Sequence, residues 1–165
     1  MGLSRLSQAG YRLVVISNQS GVARGLFPES ALIQVETRLR ELLLPYGVNL
    51  AGVYYCPHHP DGSNPVYARA CDCRKPRPGM ILKAANELDI DLEQSWMIGD
   101  ILDDIEAGRR SGLTTILINN GNETEWVLSP FREPHFIVDN LEEAARTILS
   151  IWIARDSDLS QLTVE

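Results

Sequence analysis

Leu13-Val14-Val15-Ile16-Ser17-Asn18-Gln19-Ser20-Gly21 is where a fold first becomes visible along the chain. Four apolar residues in unbroken succession read as a strand buried on both faces, the pattern of a parallel sheet covered by helices, and a polar turn follows at once. Such turns are where function collects. Upstream, Leu3, Leu6 and Ala9 recur at helical spacing, and Gly10 falls where that helix would end. Downstream, Pro28 suits the first turn of a helix whose apolar stripe is Leu32, Val35, Leu39 and Leu42, with Pro45 and Gly47 as its stop.

The alternation continues in the same sense. Gly52-Val53-Tyr54-Tyr55 is a second strand, Met80 to Leu88 a short helix, Trp96-Met97-Ile98 a strand, Ile101 to Arg110 a helix ended by Gly112, and Thr114 to Ile118 a strand. Phe136-Ile137-Val138 and a helix from Leu141 to Ala154 extend the series. Strands separated by helices predict an α/β fold, a Rossmann-like parallel sheet with helices on both faces. With 165 residues, 44% of them hydrophobic, the chain can bury one core, which gives a single domain over 1–155 and a polar tail over 156–165.

Fifteen basic against 22 acidic residues leave a net charge of -7, which argues against a general nucleic-acid or membrane-surface binder. Any anionic ligand must be held by local positive groups. The apolar segment from Ala144 to Ala154 is broken by Arg146, Thr147 and Ser150 and falls well short of the ~20 residues of a membrane span. No charged start, apolar block and small-residue cleavage site opens the chain, so a cytoplasmic location is expected, and the expected state is a monomer.

All three cysteines and two of the three histidines lie between Tyr54 and Pro78, in a loop rich in Pro, Gly and Asn. Three cysteines clustered in a chain without an export signal favour metal ligation over a disulfide framework. In open parallel sheets, ligands bind beyond the carboxyl ends of the strands. The first strand is followed there by Ser17, the second by the cysteine loop with Arg74-Lys75, and the third by Asp100 with Asp103 and Asp104 close behind. A hydroxyl, a cation and a set of carboxylates at one edge suit phosphoryl chemistry. The first two hold and neutralise phosphate oxygens, and the carboxylates hold Mg²⁺ through hard oxygen ligands.

Ser17 to Gly25, Cys56-Pro57-His58-His59-Pro60, Cys71-Asp72-Cys73-Arg74-Lys75-Pro76 and Gly99-Asp100 through Asp104 together resemble the haloacid dehalogenase superfamily of phosphatases. Within it the chain is most similar to the branch that acts on heptose bisphosphates, with the histidinol-phosphate phosphatases as near relatives. The resemblance implies that Ser17 binds phosphate and that Lys75 stabilises the transferring phosphoryl group. It makes Asp100 a Mg²⁺ ligand and turns Asn18, Gln19, Arg24 and Arg74 toward a phosphorylated sugar. Many members carry a second acid directly after the one matching Asp100, whereas Ile101 stands here, so Asp103 or Asp104 is expected to complete or orient the metal shell. The resemblance also implies a structural Zn²⁺ held by Cys56, His58, Cys71 and Cys73, spaced C-x-H-x12-C-x-C, with His59 as the substitute ligand. Four closed S/N ligands suit such a site.

One part of the family pattern is missing. The family's nucleophile is the first Asp of an Asp-x-Asp-Gly motif on a central strand, and this chain has no aspartate before Asp61. Asp89-Ile90-Asp91 precedes a strand instead of ending one, and Asp156-Ser157-Asp158 follows the last helix. The expectation is an N-terminally incomplete sheet, inactive alone, with Met1 an internal methionine of a longer protein. The absent strand should leave a gap of roughly 10 Å between the Leu13 and Trp96 strands. A histidinol-phosphate phosphatase is the second reading, opposed by Ser20 where those relatives usually carry Asp. A non-catalytic, zinc-stapled binding remnant is the third.

Overall fold

The computed structural model describes the backbone of residues 1–161 and the side chains of residues 1–153. The elements run α1 (Gly2–Gln8), β1 (Leu13–Asn18), α2 (Ala31–Leu43), a 3-10 turn at Leu44–Tyr46, β2 (Leu50–Cys56), α3 (Gly79–Leu88), β3 (Trp96–Gly99), α4 (Leu102–Arg110), β4 (Thr114–Ile118), β5 (Phe136–Val138) and α5 (Leu141–Gln161). Each element anticipated from sequence is present. Two ends differ: α2 begins at Ala31, so Pro28 stands in the turn before it instead of in its first turn, and α5 continues past Ala154 to Gln161, while residues 162–165 of the expected polar tail lie outside the described residues. Gly112 shows how one junction is made: it sits at φ +82 directly after α4, a left-handed conformation that lets the chain reverse into β4.

Every strand pairing is parallel. β1 pairs with β2, with Ile16 opposite Tyr54 and Asn18 opposite Cys56, while β3 pairs with β4 and β4 with β5. The core is concentrated on β4, the strand with neighbours on both edges. Leu6 of α1 and Ala144, Ala145 and Ile148 of α5 close over Ile116, and Leu102 and Ile105 of α4 close over Leu117. His135 ties the start of β5 to β4, since its Nδ1 accepts the Thr115 N–H at 2.9 Å. Burial and the neighbouring Arg109 push this imidazole below its ordinary range.

The strands form two separate sheets, β1–β2 and β3–β4–β5, and among the described residues β1 and β3 are not hydrogen-bonded to each other. A cavity of about 1360 Å³ is bordered by Leu13 through Ser17 on one side and Trp96 through Asp100 on the other. This corrects two expectations. Leu13 to Ile16 are half-buried instead of buried on both faces, because β1 has a strand on one edge and a void on the other. The α2 stripe is likewise incomplete: Leu32 is buried, but Val35 and Leu42 are exposed, and Leu39 and Leu43 end on the same cavity. Among the described residues no helix is long and apolar enough to cross a membrane.

Candidate active site

Lys75 is the hub of the site. Its chain position is pinned by Asn18 at the end of β1, whose Oδ1 accepts the Lys75 N–H at 3.0 Å and whose Nδ2 donates to the Lys75 carbonyl at 3.0 Å. Only 8% exposed, the ammonium donates to the Ile16 carbonyl at 2.8 Å and lies 2.5 Å from Asp104 Oδ1. That second contact has ion-pair distance but not hydrogen-bond alignment, so it is a charge pairing, one that buries both partners. Asp104 reaches this depth because residue 99 has no side chain: a Cβ at Gly99 would meet Asp104 Cβ at 2.2 Å. The other oxygen of Asp104 accepts the Asp100 N–H at 3.1 Å.

Ser17 sits half-buried on the cavity's border, and its Oγ accepts from Gln19 Nε2 at 2.8 Å, which leaves the hydroxyl proton to donate. Gln19 in turn donates its N–H to the Cys56 carbonyl at 2.8 Å, tying the carboxyl ends of β1 and β2 together. One run of contacts therefore joins Gln19 to Ser17 and Asn18 to Lys75, Asp104 and Asp100. Arg24 and Arg74 sit apart from that run. Arg24 lies 3.3 Å from His59 Nε2, and Arg74 donates at 3.5 Å to the His58 carbonyl.

The two acids weighed for the metal shell have separate partners. Asp104 is committed to Lys75 and to the Asp100 backbone, and Asp103 accepts from Arg132 at 3.2 Å. Burial raises the Asp103 carboxyl above its ordinary range, against the pull of Arg132. Among the described residues, the group hydrogen-bonded to the Asp100 carboxylate is Asn122, donating from Nδ2 to Oδ2 at 2.6 Å. Sequence reading missed Asn122, Glu123 and Arg132, which lie in the irregular segment between β4 and β5. A faint signal existed in Ile101, which has no oxygen with which to cap α4.

Cys56, His58, Cys71 and Cys73 converge. Their ligand atoms all lie within 4.8 Å of one another, with Sγ pairs at 3.0, 3.1 and 3.4 Å and His58 Nδ1 at 3.4 and 3.7 Å from Cys73 and Cys56. Tetrahedral zinc thiolates stand about 3.8 Å apart, from Zn–S bonds of ~2.3 Å, so this donor set fits a closed metal site after a slight expansion. Burial pushes the Cys56 and Cys73 thiols up, while at Cys71 burial is outweighed by hydrogen bonds from the Cys73 and Cys56 side chains and the Arg74 and Cys73 backbone together, which lowers it. His59 is not part of the cluster, since its Nδ1 accepts the Asp61 N–H and its Nε2 faces Arg24.

A hydroxyl, a buried lysine and a paired acid stand together at the carboxyl edge of parallel strands, in an α/β fold. The comparisons with known proteins bear on the family of the chain. A family profile described as HAD-hydrolase-like matches residues 72–144. The chain is 40% identical over 147 residues to a D-glycero-beta-D-manno-heptose-1,7-bisphosphate 7-phosphatase of Photorhabdus laumondii, spanning 88% of this chain and 77% of that protein. It is 45% identical over 120 residues to the enzyme of the same name from Pasteurella multocida, spanning 72% and 65%. The crystal structure of D,D-heptose 1,7-bisphosphate phosphatase from B. bronchiseptica, complexed with magnesium and phosphate, superposes with a TM-score of 0.77 at 31% identity, covering 90% of this chain and 80% of that one. The chain belongs to the haloacid dehalogenase-like family of phosphatases.

Proposed function

We propose that this chain is the phosphate-handling body of a phosphatase that removes one phosphate from D-glycero-D-manno-heptose 1,7-bisphosphate. The observation that carries this reading is the unbroken contact run from Asn18 through Lys75 and Asp104 to Asp100, with Ser17 beside it. The names of the relatives supply the substrate. Asp100 is the acid that would hold Mg²⁺, which would neutralise phosphoryl charge there. The Ser17 hydroxyl at the end of β1 binds a phosphoryl oxygen, and Lys75 places a positive charge where negative charge builds up in the transition state. The Cys56, His58, Cys71 and Cys73 set would hold structural Zn²⁺, fixing the loop whose next residues are Arg74 and Lys75.

The attacking carboxylate is the group this reading requires and the sequence lacks. Asp89 and Asp91 border the cavity from the segment leading into β3, at the opposite end from Asp100, so they cannot serve. We assign the nucleophile to a strand that seats between β1 and β3 and ends near Lys75. The test is phosphate release from heptose 1,7-bisphosphate and from histidinol phosphate. It compares the 165-residue chain alone with the chain fused to the N-terminal segment of the Photorhabdus relative. Turnover in the fusion only, with the heptose substrate preferred, supports the proposal. Equal activity in both proteins, or preference for histidinol phosphate, overturns it.

A further inference from the structure

The segment between β4 and β5 has no regular structure, yet it is strapped to α4 at several points. Arg132 reaches Asp103 at 3.2 Å, Arg109 donates to the Pro130 carbonyl at 3.3 Å, and the Arg110 guanidinium lies 4.7 Å from the centre of the Phe131 ring. A further contact falls at the amino end of the helix. Ile101 occupies the N-cap without a side-chain hydrogen bond, and the Leu102 N–H it leaves bare donates to Glu123 Oε2 at 2.5 Å. A carboxylate here also meets the positive end of the helix dipole. Glu123 is in turn braced by the Glu125 N–H, which donates to Oε1 at 2.7 Å.

The adjacent side chain is Asn122, whose amide donates to Asp100 Oδ2 at 2.6 Å. Asp100 has its backbone fixed by Asp104 and its carboxylate fixed by Asn122, so backbone and side chain are held by two different segments. We propose that Asn122 is a positioning residue for the Asp100 carboxylate, orienting it toward a divalent cation, with Glu123 holding Asn122 in place by capping α4 where Ile101 cannot. One amide donor on one oxygen leaves the second oxygen of Asp100 turned to the cation, and it blocks the rotation about χ2 that would exchange the two. This rests on the reading of Asp100 as the metal acid.

The experiment uses Mn²⁺ as the probe, with binding to the 165-residue chain followed by electron paramagnetic resonance. The Asn122 side-chain amide is followed separately by NMR without metal. Asp100→Asn should abolish Mn²⁺ binding and shift the Asn122 amide resonances. Asn122→Ala should weaken Mn²⁺ binding about tenfold or more, as loss of an outer hydrogen-bond partner does at metal sites. Asn122→Ser, which keeps a short donor, should recover part of that loss, and the melting temperature should stay unchanged in both variants. Unaltered Mn²⁺ affinity in Asn122→Ala alongside loss in Asp100→Asn overturns the positioning role and leaves the metal acid standing. A loss of affinity that tracks a fall in melting temperature in both Asn122 variants also overturns it. Mn²⁺ binding by Asp100→Asn equal to the parent chain, or none by the parent chain, removes the premise instead.

Discussion

Lys75 and Asp104 bind each other in a space where neither could stand alone, at 8% and 4% exposure. Two buried charges lose their hydration, and their attraction offsets that loss only while both remain; removing one leaves an uncompensated charge. Lys75→Met is therefore expected to destabilise the chain by about 3–5 kcal/mol, while Lys75→Met combined with Asp104→Leu should regain most of that loss. Urea unfolding of the parent and the two variants checks this, and equal stability of the single and double variants would show that the pair is not coupled. Asp100 was expected at this edge because it directly follows β3, whereas Lys75 stands well beyond the end of β2 and was singled out by the motif it shares with the family. The use made of Asn18 was not legible, since an amide after a strand suits substrate and backbone equally. Its two bonds to Lys75 exist only once β1 and the cysteine loop have been brought together. Asn122 was further out of reach, because its partner lies 22 residues away and its own segment carries no periodicity.

Among the elements, the strands and helices were legible because their periodicities are local, and the cysteine loop was legible because its ligand spacing is. Residues 57–78 contribute no strand or helix and little buried apolar surface, so polar contacts order them: the four-ligand cluster, the Asn18 bonds to Lys75, the Asn64 N–H on the Ala23 carbonyl and the Tyr67 hydroxyl on Glu29. A structural zinc contributes its binding free energy to folding, about 10–16 kcal/mol in apparent terms for small zinc modules near neutral pH. In a chain with its own core, that energy acts on the loop. The purified protein should carry roughly one Zn²⁺ per chain. Chelation, or Cys71→Ala, should expose residues 57–78 to proteolysis while β3–β4–β5 remains protected. Metal analysis with limited proteolysis reads both outcomes, and a metal-free protein with an intact loop would remove zinc from the account.

The molecule as a whole is two half-sheets around a cavity, and its stability should be distributed accordingly. β4 has a strand on each edge and three central residues at 0% exposure, whereas β1 and β3 each have one strand neighbour and a void. Backbone N–H and C=O groups along an unpaired edge satisfy themselves with water and open readily, so they exchange hydrogen far faster than paired ones. In the chain alone, amides facing the cavity from β1 and β3 should therefore exchange well ahead of those of β4. Fusing the N-terminal segment of the Photorhabdus relative should slow the β1 and β3 amides toward the β4 rate and raise the melting temperature. A segment of the same composition in scrambled order should do neither, because a parallel strand between two fixed edges needs its apolar residues in one register to fill both faces. Protection that appears on β2 or β5 instead would mean that the added strand joins an outer edge, and the nucleophile would then stand far from Lys75.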